Sequence, residues 1–90
     1  MDLSAPVPAS QFVFLQVPPG WVGDTHPSRR RQLGIVLSGS IEVTGAAREQ
    51  RVFGPGGFFL MEDTTGGGHA TRVVGNEDLR MAITALPAPA

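Results

Sequence analysis

The chain has 90 residues, eight acids against seven cations that are all Arg, a net charge of -1, no Cys, and 41% hydrophobic residues. That balance argues against a nucleic-acid or anionic-membrane binder, and the lack of Cys removes disulfides, thiolate metal sites and thiol nucleophiles. No apolar run approaches the ~20 residues of a membrane helix, and "MDLSAPVPAS" lacks a basic n-region and apolar core. A cytoplasmic protein without a signal peptide is the expectation. The absence of Lys beside abundant Gly, Ala, Pro and Arg matches GC-rich bacterial codon usage.

In chain order, "QFVFLQV" (Gln11 to Val17) is β-branched and aromatic, bounded by Pro-rich stretches. "RQLGIVLSG" (31–39) and "SIEVTG" (40–45) read as strand, tight turn and strand. "REQRVF" (48–53) alternates, "GPGG" turns, and "FFLME" (58–62) extends again. "HATRVVG" (69–75) alternates, "NED" turns, and "LRMAITAL" (79–86) closes the set. No window holds a helical period beyond about two turns. Roughly seven short strands predict a single all-β barrel or sandwich domain over 1–90, with an ordered core of about 11–86 and a Pro/Ala-rich tail at 87–90.

The order of pieces resembles a small single-domain cupin, a jelly-roll barrel. "HPSRRRQLGIVLSGSIEV" is similar to the first cupin motif, with Gly39 as its turn glycine. "FGPGGFFLMEDTTGGGH" is similar to the second, with Gly56 in the Gly-Asp position and His69 as the motif histidine. A subgroup of short bacterial cupins shares the Arg-Arg-Gln strand start and the Glu-Asp-Thr-Thr-Gly-x-Gly-His loop. The resemblance implies a small-molecule site inside the barrel. It also implies a three-His, one-Glu metal set, and here the chain departs. The Glu position falls on Gln32, and the His-x-His pair falls near Thr25 and Pro27, where only His26 is available. What remains is His26, Gln32 and His69, a weak donor set for Fe, Ni, Mn or Zn.

If "HATRVV" is a strand, His69, Thr71 and Val73 share one face and Arg72 lies on the other. With Arg72 in solvent, His69 and Thr71 face the interior, where an imidazole suits proton transfer or metal ligation. The plainer role for His69 is to pin the "EDTTGG" loop. The resemblance puts the Gln32 face toward the interior, with Gly34 and Val36. Gly34 then leaves a hollow for a ligand beside Gln32, or else marks a bulge. The opposite stripe, Leu33, Ile35 and Leu37, needs a cover, and "FVFLQV" of this chain or a second subunit is the natural one. His26 lies in a loop before the strand. Arg30, on the Gln32 face, could hold a carboxylate or enolate oxygen at the barrel mouth. Trp21 closes that mouth or plugs the barrel end. Glu62 and Asp63 stand near it, either as an acid/base partner of His69 or as caps of the loop.

The sequence therefore predicts a homodimeric enzyme of proton-transfer chemistry on a small oxygenated metabolite, an isomerase or cyclase without a cofactor. His69 is its acid or base, with His26, Glu62 and Asp63 as further candidates. Gln32, Arg30, Gly34, Val36, Thr71 and Trp21 are the expected substrate contacts. A metal-dependent cupin, with a divalent metal on His26, Gln32 and His69, is the second reading. A non-catalytic binding or sensor domain is the third.

Overall fold

A computed structural model describes residues 1–26, 31–45, 48–61 and 69–87, with the backbone alone for 24–26. Eight strands are formed: β1 (Gln11–Val17), β2 (Val22–His26), β3 (Gln32–Ser38), β4 (Ser40–Thr44), β5 (Gln50–Phe53), β6 (Phe58–Met61), β7 (His69–Val74) and β8 (Leu79–Ala85). No helix occurs among the described residues. The strands pair antiparallel in two four-stranded sheets, ordered β1-β8-β3-β6 and β2-β7-β4-β5. The chain crosses between sheets at most connections, which is the jelly-roll arrangement.

One strand more is present than the sequence suggests. "VGDTH" has no apolar alternation and reads as loop, yet its backbone pairs with β7, with an irregularity between Gly23 and His26. The pairing edge of β7, not intrinsic propensity, makes it a strand. A second correction concerns β1. It does not lie over Leu33, Ile35 and Leu37; it pairs edge-on with β8 and extends the same sheet.

Gly39 joins the two sheets between β3 and β4. Its φ is +74°, and a Cβ there would collide with the Asp78 carbonyl oxygen and lie 2.9 Å from Leu79 Cα. Only glycine fits this approach of backbone to backbone. Beside this turn lies the packed core: Val36, Ile41, Val73, Leu79 and Met81, one set from each sheet. Each large apolar side chain buried here contributes about 1.5–3 kcal/mol. The Phe53 and Phe59 rings, with centroids 4.7 Å apart, tie β5 of one sheet to β6 of the other.

Along the inner face of β8, Leu79 and Met81 are buried, while Ile83 is only half-buried. The row of Val13, Ile83 and Gly34 carries an inward position, Val13, that is 54% exposed. Val13 lies on β1, an edge strand, so its exposure marks an uncovered sheet edge. Farther along β8 from Gly39 the inner-face Ala85 is buried again.

Candidate functional site

Strand alternation on β7 works as its sequence pattern requires. His69 and Val73 are buried, Thr71 is half-buried, and Arg72 points outward. Arg72 makes a two-pronged ion pair on the outer surface, with Nε and Nη2 donating to the Glu42 carboxylate oxygens at 3.0 Å each. The Glu42 carboxylate raises the pKa of the Arg72 guanidinium. His69 is a buried polar side chain, 8% exposed, on the inner face of an otherwise mostly apolar interior. It already has an interaction partner within the chain.

The backbone register sets His26 of β2 directly opposite His69 of β7. Both histidines of the chain thus occupy one cross-strand pair. The His26 side chain lies outside the described residues, as do Arg30, Glu62, Asp63 and the rest of the 62–68 loop.

Gly23 and Trp21 form the next feature along the same edge. Gly23 pairs with Thr71, and the Val73 N–H donates to the Trp21 carbonyl at 2.8 Å. A Cβ at Gly23 would lie 2.6 Å from Trp21 Cη2 and 3.0 Å from Thr71 Oγ1. The indole therefore occupies the place where residue 23 has no side chain, beside Thr71 and one inner-face position from His69. It remains 40% exposed, so it is not a buried plug. Gly23 as the seat of the indole was not anticipated. Its one sequence signal is a glycine two residues after the only Trp.

On the other sheet Gln32 is half-buried and pairs with Met61 and Ala85. Gln32 opens β3, which runs to the Gly39 turn, and Ala70, next to His69, pairs with Thr44 at the far end of β4, which leaves that turn. Gln32 and His69 therefore lie at the same end, away from Gly39, on inner faces of opposing sheets. The hollow expected over Gly34 is filled. A Cβ at residue 34 would stand 2.7 Å from Met81 Cε and 3.3 Å from Phe59 Cζ. No bulge occurs there either, since Gly34 pairs regularly with Phe59 and Ile83. Val36, expected beside the ligand, sits in the packed core near Gly39.

The resemblance implies a metal, and the described side chains do not fit one. Among them no three His, Cys, Asp or Glu converge, and the inner faces at this end supply one imidazole and the neutral carboxamides of Gln32 and Gln11. Such donors hold divalent ions poorly.

Comparison with known proteins places these features in a family. No curated protein matches the sequence significantly. Among solved structures, the chain is similar to the cupin domain of an XRE family transcriptional regulator from Enterobacter cloacae, at 18% identity and TM-score 0.68, covering 84% of this chain and 80% of that one. KdgF from a Halomonas species is similar at 24% identity and TM-score 0.64, covering 92% and 75%. The cupin domain of Schizosaccharomyces pombe Cnp3 is similar at 22% identity and TM-score 0.69, covering 94% of this chain but 58% of that one. At such identities the likeness concerns the fold alone. The family description "Cupin domain" matches residues 13–85, most of the sequence, and the chain belongs to the cupin domain family.

Proposed function

We propose that the barrel interior at the end away from Gly39 binds a small oxygenated metabolite and that His69 moves a proton on it, in an isomerisation or cyclisation. The observation that carries this reading is the position of His69: a buried imidazole on an inner face, at the barrel end away from Gly39 and opposite His26. In the proposed step His69 accepts a proton from a carbon beside a carbonyl and returns it to the neighbouring atom, so nothing else is consumed. The Gln32 carboxamide donates a hydrogen bond to the substrate oxygen, and the charge of Arg30 favours the enolate. Trp21 and Thr71 form one wall. Gly34 reaches the ligand only if the flexible Met81 thioether turns aside.

A non-catalytic ligand-binding role is the second reading, supported by the occurrence of the same fold in a transcriptional regulator. The cross-strand pairing of His26 and His69 is what favours a metal. The proposed chemistry takes no step through one. Ligands are found first by shifts in melting temperature across a panel of carbonyl-containing metabolites. Turnover of a stabilising compound by the wild type, lost in His69→Gln with the fold intact, supports the enzyme. Stabilisation without turnover supports the sensor.

A further inference from the structure

Near Gly39 the outer face of the β1-β8-β3-β6 sheet turns from apolar to charged. Its row of Phe14, Ala82, Ile35 and Phe58 gives way to Gln16, Arg80 and Ser38. An open cleft of about 360 Å³ lies there, lined by Ser38, Glu77, Asp78 and Arg80. Its volume is at the lower end for ligand clefts, which run to ~300–1,000 Å³. The cleft is on the outer surface, at the opposite end of the barrel from His69 and Gln32, and is independent of the chemistry assigned to them.

Two features fix the lining. First, β3 bulges just before its turn: its pairing with β8 steps from Val36 opposite Met81 to Ser38 opposite Arg80, with Leu37 as the extra residue. Unbroken pairing would set Leu37 beside Arg80. Directly paired residues share one side of a sheet, so the bulge sets a hydroxyl beside the guanidinium instead. Second, Asp78 is held from two sides. Its carbonyl packs against Gly39, and its Oδ2 accepts a hydrogen bond from Gln16 Nε2 at 3.0 Å. Arg80, Glu77 and Asp78 nevertheless do not neutralise one another. Among the described residues no ion pair joins Arg80 to either acid, whereas Arg72 and Glu42 on the other sheet do pair. One cation and two anions held apart in one cleft leave separate poles for a ligand.

We infer that this cleft binds a small amino acid carrying one carboxylate and two ammonium groups, of the lysine or ornithine type. The charges match in number and sign: the Arg80 cation meets the carboxylate, and the Glu77 and Asp78 anions meet the two ammonium groups. The planar fork of Arg80 and the Ser38 hydroxyl donate to the ligand carboxylate. Asp78 Oδ1 and the Glu77 carboxylate accept from the ammonium groups, which have donors only. A monoamino acid leaves one protein carboxylate unmatched, and a plain diamine leaves the guanidinium unmatched, so both are discriminated against. Glu77, Asp78 and Arg80 are exposed, so binding is weak, roughly millimolar, and is reduced by salt.

The test is a titration of the isotope-labelled full chain with L-lysine to about 20 mM at low ionic strength, read by amide chemical shifts. Saturating shifts are expected at Ser38, Glu77, Asp78 and Arg80, with the His69 and Gln32 amides still. Alanine, without the second ammonium, and cadaverine, without the carboxylate, are each expected to bind about fivefold more weakly. Arg80→Gln should weaken lysine by about the same factor and leave cadaverine unchanged. If Arg80→Gln does not fold, Ser38→Ala tests the carboxylate pole in its place. The absence of a saturating shift overturns the inference. So does alanine or cadaverine binding as tightly as lysine, an Arg80→Gln variant that binds lysine like the wild type, or shifts centred on the His69 end.

Discussion

Gly34 and Met81 share one space inside the barrel: a Cβ on residue 34 would lie 2.7 Å from the Met81 methyl. The obstructing atom is the free end of a flexible thioether, so Gly34→Ala is expected to cost no more than about 1–2 kcal/mol by denaturant unfolding. Removing the filler is worse. Met81 is 2% exposed, and Met81→Ala should cost about 2–5 kcal/mol and leave a hollow beside Gly34. Equal losses for the two variants would mean that the packing of Met81 over Gly34 is not as described.

Gly39 and Gly56 separate conformational strain from collision. Both have positive φ, +74° and +84°. A Cβ at Gly56 meets nothing within 4 Å, whereas one at Gly39 meets the backbone of Asp78 and Leu79. Gly56→Ala should therefore lose about 1–2 kcal/mol, the cost of a left-handed conformation for an L-residue. Gly39→Ala should exceed about 4 kcal/mol or fail to fold, because backbone cannot step aside. Urea unfolding of both checks the difference.

Trp21 is the only Trp, and there is no Tyr, so its fluorescence reports directly on the surroundings of Gly23 and Thr71. Gly23→Ala puts a methyl where the indole lies and should push the ring outward, shifting emission to the red. Any quenching by a stabilising metabolite should weaken with it. Unchanged emission and unchanged quenching would place the indole away from the ligand.

Metal content is expected to be substoichiometric and removed by mild chelation, because a carboxamide stands at Gln32 where the cupin motif carries a carboxylate. Elemental analysis of untagged protein reads this. One tightly held metal per chain, lost in Gln32→Ala, would bring the metal-dependent reading to the front.

Much of the fold was legible because strand signals and turn signals agreed. β1 follows its apolar run residue for residue, and the inner and outer faces of β7 follow from alternation about Arg72. β2 was not legible, since Gly-Asp-Thr carries no period and its pairing depends on β7. The cross-strand placement of His26 against His69 was hidden with it. The occupant of the space over Gly34 was equally unreadable. A glycine in a strand announces missing volume, but whether Met81, a ring or a ligand fills it depends on the neighbouring strands. The Gln32 position came from the resemblance and not from its own strand, where a half-buried glutamine at a strand end is unremarkable.

The most direct measurement is proton NMR in D₂O on any carbonyl metabolite that stabilises the protein, following exchange of the hydrogen beside the carbonyl. It needs no knowledge of the product. Wild-type protein is expected to wash that hydrogen out, and His69→Gln to slow the exchange by ~10²–10⁴ while its melt moves by only about 1 kcal/mol. Exchange at the wild-type rate in a less stable His69→Gln would contradict the account and make the histidine a structural pin.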